Sequence, residues 1–402
     1  PIAGFGMRLA TALWQGNWNV LLTGYLKDES RMIIHRNVRE RLQTIAGFLE
    51  WDTDPYLVLT ADGRMVWMVD GFTKSAAHPY SRMTQFGGLG TFNYMRNAVK
   101  ATVDAYDGHI ALYVFDSSDP IIAVWQAIFP RLFRPASEMP ADLRAHARHP
   151  ELMFKVQADV YRTFHMQDAD AFYNKEDVWD VAKNVYGQTG KPEPVQPVYV
   201  VATLPGETAP EYLLLQPFTP RTKDNLIGLM AARCDAAHLG EIVVLQLSKQ
   251  SLIYGPLQIE ARIDSDQNIS KDLSLWNQQG SQVLRGQMLV LPIDDTFLYV
   301  EPIYIQSSQA RMPQLKKVVI AMGNTLIYRD TYEQALADLT GTSAPAAAQP
   351  AVTLATKPTP ATGDPKIESI RTHLKRYREL ASQGKWAEAG KELEAIEASV
   401  KQ

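Results

Sequence analysis

Asn93-Tyr94-Met95-Arg96-Asn97-Ala98-Val99-Lys100-Ala101-Thr102-Val103-Asp104-Ala105-Tyr106-Asp107 is the stretch on which the reading of the first half of this chain turns. Asn93, Asn97, Lys100, Asp104 and Asp107 recur at intervals of four, three, four and three, the interval that lines up side chains on one face of an α-helix. Tyr94, Met95, Ala98, Val99, Thr102, Val103 and Tyr106 take the opposite face. The spacing predicts an amphipathic helix over 93–107 carrying a narrow stripe of amides and carboxylates around one lysine. Such a stripe has the chemistry to hold a sugar or a cation; it is equally the polar face that a surface helix turns to water.

Gly87-Gly88-Leu89-Gly90 runs ahead of this segment, and glycines before a helix start can offer backbone N–H groups to an anion, with Arg96 and Lys100 close behind. Asn93 stands where the third glycine of a dinucleotide fingerprint belongs, and no Gly-Lys-Ser or Gly-Lys-Thr follows, so no nucleotide cofactor is indicated. Upstream, Asp28 to Trp51 has helical apolar spacing, and Tyr56 to Thr60 with Arg64 to Asp70 reads as a hairpin turning at Ala61-Asp62-Gly63. Downstream, His109 to Phe115 reads as a strand. Helices are expected at Ile121 to Phe133, Ala141 to His149 and Glu151 to His165, separated by Pro130, Pro135, Pro140 and Pro150.

Gly187, Gly190, Pro192, Pro194 and Pro197 crowd one short stretch and set a boundary between a helix-rich mixed α/β region, 1–190, and a strand-rich region, 191–341. In the second region strands are expected at Val198 to Leu204, Tyr212 to Leu215, Ile242 to Leu247, Gln258 to Ile263, Val283 to Leu291, Leu298 to Ile305 and Val318 to Met322. Antiparallel hairpins turn at Asp294-Asp295 and Gly323-Asn324. Helices at Lys223 to Arg233, Asp266 to Asn277 and Thr331 to Leu339 interrupt them, so the fold class is α+β. Residues 342–365, rich in Ala, Pro and Thr, read as a linker. Residues 366–402 read as a helical hairpin broken at Gly384. It is too small to be stable alone and so is a candidate for self-association or docking.

With 46% apolar and 21% charged residues, the 402-residue chain is neither disordered nor fibrous as a whole. A net charge of −4 supplies no basic field, which argues against nucleic acid as a partner. Cys234, the single cysteine, cannot form an internal disulfide. No stretch is long and apolar enough to span a membrane; Ile2 to Leu26 is interrupted by Arg8, Gln15, Asn17 and Asn19. The start at Pro1 rather than Met reads as either a processed product or a piece of a longer protein.

Asp52, Asp54, Asp70, Asn93, Arg96, Asn97, Lys100 and Asp104 are the candidate ligand-binding residues, on the expectation that the stripe and the upstream carboxylates share a cleft. Asp142 and His146, one helical turn apart, with His149 a further turn on, form an alternative metal or acid–base set. They lack the spacing and the adjacent Glu of a zincin. The loop pairs Asp52/Asp54, Asp116/Asp119, Asp168/Asp170 and Asp294/Asp295 suit calcium as a cofactor, yet none completes a twelve-residue calcium loop, and Asp is a common turn and cap residue. No Gly-x-Ser-x-Gly elbow supports covalent catalysis.

Several segments together resemble a large bacterial family known as uncharacterised protein family 0182. They are Asp52-Thr-Asp-Pro-Tyr56, Trp67 to Thr73, Pro79-Tyr80-Ser81, Asn93 to Lys100 running through Val103 to Gly108, Ser137 to His146, Phe172-Tyr-Asn174 with Asp177 and Trp179, Gly280-Ser-Gln282 and Tyr299-Val-Glu-Pro302. Gly384-Lys-Trp386 is similar to the family's tail; Phe72 and His149 depart from its usual residues. The resemblance implies a parent with an N-terminal block of transmembrane helices, which would be this chain's partner, followed by a large extracytoplasmic part to which the chain would belong. It brings no established activity and no catalytic residues. The expectation is an extracytoplasmic ligand-binding or interaction domain at the cell membrane, supporting transport or envelope maintenance. The alternative is a carboxylate- or metal-dependent enzyme acting on an envelope polymer or lipid.

Overall fold

Tyr94–Asp104 is a β-strand and not the expected helix. The computed structural model describes residues 2 and 4–342, apart from 28, 33, 188–189, 236, 249, 251, 279 and 308–311, together with residues 376 and 391. Two features gave this strand a helical signature. Ala98 to Val103 are all buried because the sheet is covered on both faces, and such a strand reads as a continuous apolar run without alternation. Its register against Met65–Ser75 also slips: Gly71 faces Val99 and Thr73 faces Arg96, leaving Asn97 and Ala98 together opposite Phe72. This bulge inserts one residue, so that positions three apart reach the same side as they would on a helix.

The first sheet places Glu50–Trp51 and Tyr56–Leu59 along one edge of Met65–Ser75, followed by Tyr94–Asp104, Ile110–Val114 and Phe133–Pro135. All pairs are antiparallel except the last, which is joined by the helix Pro120–Ile128. One face carries Val69, Val99, Ala101 and Leu112 under Leu42, Ala46 and Ile122 of the helical layer. The other carries Met68, Ala111 and Tyr113 under Met139, Leu143 and Ala147. The helix expected within Asp28 to Trp51 is confined to Val38–Ile45, where the Asn37 side chain caps the N–H groups of Arg39 and Glu40.

The second sheet runs Val198–Ala202, Glu211–Pro220, Gly228–Arg233, Ile242–Gln246, with Trp179–Val181 also paired to Glu211–Pro220. The helix Glu151–Phe164 covers one face through Phe154 and Ala158. The opposite face packs on a third sheet built around Thr296–Ser307, with the helices Pro256–Ser265 and Gln267–Trp276 contributing Ile259, Ile263 and Ile269 to the shared core. The α+β class and both hairpins, at Asp294-Asp295 and Gly323-Asn324, are present as expected.

Three elements of the second region differ from expectation. Lys223 to Arg233 is not a helix; its second half, Gly228–Arg233, is a wholly buried central strand, and Gly228 lets the Trp179 ring lie where a Cβ would be 2.7 Å away. Gln258 to Ile263 is not a strand but part of the helix Pro256–Ser265. Pro256 opens that helix, the Gln258 side chain accepts from the Gly255 N–H, and Ile259 and Ile263 face the core one turn apart. Val283 to Leu291 splits into Ser281–Arg285 and Leu289–Ile293.

Pro1–Ala344 form one compact unit. The expected helical hairpin at 366–402 and the linker before it fall outside the described residues but for Thr342, Arg376 and Lys391. Among the described residues no helix is long and apolar enough to cross a membrane.

Candidate functional site

Asp70 and Lys100 sit directly opposite each other on neighbouring strands, each about 3% exposed. The Lys100 ammonium donates to Asp70 Oδ1 at 2.5 Å and to the Arg148 carbonyl at 2.8 Å, and the Asn97 amide donates to the same Asp70 oxygen at 2.9 Å. Without the bulge, Asn97 and Lys100 would point to opposite faces of the sheet. Asp52 lies beside this group, its N–H donating to the Asp70 carbonyl at 2.9 Å. Burial, with the neighbouring Asp70 carboxylate adding to it, pushes the Asp52 carboxyl up to about 6. Asp54 completes the set through Arg148, whose Nη2 donates to Asp54 Oδ2 at 2.7 Å.

Arg148 also joins the first two sheets. Its guanidinium lies 4.1 Å from the ring centroid of Tyr56, on the first sheet, and 4.5 Å from that of Tyr199, on the second. The Tyr56 hydroxyl donates to the His146 carbonyl and the Tyr199 hydroxyl to the His149 carbonyl, so both rings pin the segment that carries Arg148. Four of the expected residues, Asp52, Asp70, Asn97 and Lys100, are thus brought together as a buried ionic knot, with Asp54 attached from outside.

The remaining candidates go elsewhere. Asp104, four residues along the strand from Lys100 and hence on the order of 13 Å away, is paired with Arg64, which holds its carboxyl below the usual carboxylate range. Arg96 lies 3.6 Å from Asp116. Asp142 accepts from the Ala61 N–H, and the His146 ring bonds the Asp142 carbonyl rather than its carboxylate. His149 is turned inward to Gln157 at 2.9 Å, and burial lowers its pKa. Among the described residues no three His, Cys, Asp or Glu side chains are grouped to hold a metal ion. Asp119 and Asp168 cap helices, and Asp294 occupies a turn with φ of 49°. Burial pushes the Cys234 thiol up to about 11, which keeps it protonated and non-nucleophilic.

Asn93 has a different role. Its side chain donates to the carbonyls of His78 and Ser81 at 2.8 and 3.2 Å and accepts from the His78 N–H at 3.0 Å, clamping the loop 78–81 to the strand. That loop rims a cavity of about 470 Å³ between Phe92-Asn93-Tyr94-Met95 and the helix Glu151–Phe164, whose Met153, Val156, Val160 and Phe164 form the far wall. A second hollow of about 360 Å³ adjoins it through Arg82, Thr84, Val160 and Phe164 and is lined by Arg82, Arg162, Lys175 and Arg221. Sequence reasoning missed both hollows and the role of Arg148. One signal was available: the 151–164 helix has apolar residues on two faces, Phe154 and Ala158 for the second sheet, Leu152 and Val156 for the first region, and so demands two partners.

The family description "Uncharacterised protein family (UPF0182)" matches residues 1–276. A UPF0182 protein of Solibacter usitatus is 63% identical over 412 aligned residues, covering 100% of this chain and 45% of that protein. UPF0182 proteins of Desulforamulus reducens and Cupriavidus necator are 45% and 41% identical, covering 85% and 98% of this chain and 36% and 42% of theirs. The chain therefore spans less than half the length of these relatives. No solved structure matches it.

Lys100→Met strands the Asp70 carboxylate in the interior and is expected to cost about 3–5 kcal/mol in urea unfolding. Asp70→Asn combined with it should recover a large part; a double variant no better than the single would show that packing, not charge, is at stake. Asp52→Asn gives a pH signature. Because the native carboxyl is raised, its contribution to stability is full below the ordinary value of 3.8 and is lost as the pH rises through about 6. The variant should match the parent near pH 4 and exceed it by on the order of 2–3 kcal/mol at about pH 7.5; equal stability at both would refute it.

Proposed function

The chain belongs to the uncharacterised protein family UPF0182, and on that premise we propose that it is the ligand-binding, extracytoplasmic portion of a bacterial integral membrane protein, serving transport or envelope maintenance. The observation that carries the ligand-binding part is the cavity of about 470 Å³ under Tyr80 and Asn93. Its size falls in the range of small-molecule sites, and its walls are mostly aromatic and aliphatic with a few convergent polar groups, the composition such sites share. Asn93 holds the rim loop in place at the cost of three hydrogen bonds that do nothing else for the sheet. The membrane context draws on the family resemblance, and relatives more than twice as long leave room for the membrane-spanning block it implies.

The ionic knot enters this reading as support for the site. It holds Tyr94–Asp104 against Met65–Ser75 and, through Arg148, fixes the second sheet and its covering helix relative to the first. The two walls of the cavity belong to those two parts. Asp52, Asp54, Asp70 and Lys100 do not line it.

Two measurements test the proposal. Thr208 is exposed and Cys234 is buried, so a Thr208→Cys variant of the full-length protein in intact cells should react with a membrane-impermeant maleimide; labelling only after lysis would overturn the extracytoplasmic placement. Native mass spectrometry of protein purified without detergent exchange should find a retained small molecule that Val160→Trp, which narrows the cavity from its far wall, displaces or weakens. A ligand retained equally by both would place the binding site elsewhere.

A further inference from the structure

The apolar cavity and the cationic hollow beside it share the residues Arg82, Thr84, Val160 and Phe164, so a molecule lying in one reaches the other. Their linings divide by chemistry. Phe92, Met95, Met153, Val156 and Phe164 offer no charge, whereas the adjoining hollow gathers Arg82, Arg162, Lys175 and Arg221 against the single carboxylate of Asp159. Arg162 is already satisfied: it donates to Asp159 at 2.8 Å and to the Trp179 carbonyl at 3.0 Å, and it pairs with Asp180. Arg82, Lys175 and Arg221 have no acidic partner among the described residues. Three cations converging on a concave surface, with their own counter-charge missing, mark a place where an anion lowers the electrostatic energy.

We propose that this double hollow binds one anionic amphiphile, with its hydrocarbon chain in the cavity under Tyr80 and its phosphate or carboxylate head among Arg82, Lys175 and Arg221. The proposal rests on the ligand-binding reading above and adds the ligand's chemistry. Apolar burial supplies the bulk of such binding, and the guanidinium forks of Arg82 and Arg221 match the oxygen geometry of a phosphate or carboxylate. The backbone shows the same investment at both ends of the double hollow. Tyr80 at the cavity mouth (φ 59°) and Lys175 in the cationic hollow (φ 55°) are two of the four non-glycine residues with left-handed backbones among the described residues. Lys175 is held there by ending the helix Ala169–Asn174, its N–H donating to the Phe172 carbonyl and that of Glu176 to the Ala171 carbonyl, and its side chain lines the hollow. Conformations of this kind cost energy and persist where the surrounding structure enforces them.

The test is isothermal titration calorimetry of the whole chain with dodecyl phosphate, dodecanol and inorganic phosphate, all below the micelle concentration. Dodecyl phosphate is expected to bind about tenfold or more tighter than dodecanol, the worth of one good charge pairing, with inorganic phosphate weaker than both. Its affinity should fall as salt is raised. The triple variant Arg82→Ala/Lys175→Ala/Arg221→Ala should remove the preference for dodecyl phosphate while dodecanol still binds, and Val160→Trp should weaken both alkyl probes. Equal binding of dodecyl phosphate and dodecanol, unaffected by the triple variant, would overturn the anionic head and leave the ligand-binding reading standing with a neutral ligand. Inorganic phosphate binding as tightly as dodecyl phosphate would overturn the amphiphile in favour of a free anion. Failure of both alkyl probes to bind would overturn this proposal together with the assignment of the cavity as the ligand's seat.

Discussion

The ammonium of Lys100 inside the first sheet is the constraint around which the other features arrange themselves. A buried lysine is tolerated only with a carboxylate and further hydrogen-bond partners in reach. Asp70 supplies the charge from the neighbouring strand, and the carbonyl of Arg148 supplies an acceptor from a segment 48 residues further on. To bring Asn97 onto the same carboxylate the strand takes a bulge, and to bring the Arg148 carbonyl close the 146–149 segment must lie flat on the sheet. Once it does, the Arg148 side chain projects between Tyr56 and Tyr199 and ties the second sheet to the first.

That tie determines where the helix Glu151–Phe164 begins, since Arg148 and the helix are separated only by His149 and Pro150. The helix then meets the second sheet through Phe154 and Ala158 and the first region through Leu152 and Val156. Toward its C-terminal end Val160 and Phe164 stand away from Phe92 and Met95, and the space between them is the cavity. The cavity opens to solvent, and Tyr80, Val160 and Phe164 of its lining are exposed. Here the opening is kept by rigid parts on both sides: a strand anchored by a buried ion pair, and a helix anchored to a central sheet.

Much of the architecture was legible from local signals. Ala61-Asp62-Gly63, Asp294-Asp295 and Gly323-Asn324 each turn a hairpin, because short polar residues and glycine accept the backbone angles that tight turns need, and these angles are set within four residues. The errors fall where burial on both faces erased the alternation that distinguishes a strand. Ala98 to Val103 and Gly228–Arg233 are central strands with nothing exposed, and each carries a helix-like pattern in the sequence. The reverse error at Gln258 to Ile263 has the same root, since a short run of alternating apolar residues fits either period. Of the candidate residues, Asp52, Asp70, Asn97 and Lys100 do meet, but around a buried ion pair and away from the cavity, which Asn93 alone lines.

The sequence by itself determined the class of the fold, the hairpins, and the presence of charged residues in an otherwise apolar run, because composition, turn chemistry and local spacing are properties of neighbouring residues. Only the tertiary structure decided that the run is a bulged strand, that its lysine is paired in the interior, and that Phe92, Val160, Arg82 and Arg221 surround one double hollow. Those outcomes depend on which surfaces cover which. The energy of a buried charge or of an apolar wall is set by groups tens to more than a hundred residues away, and no local pattern records them.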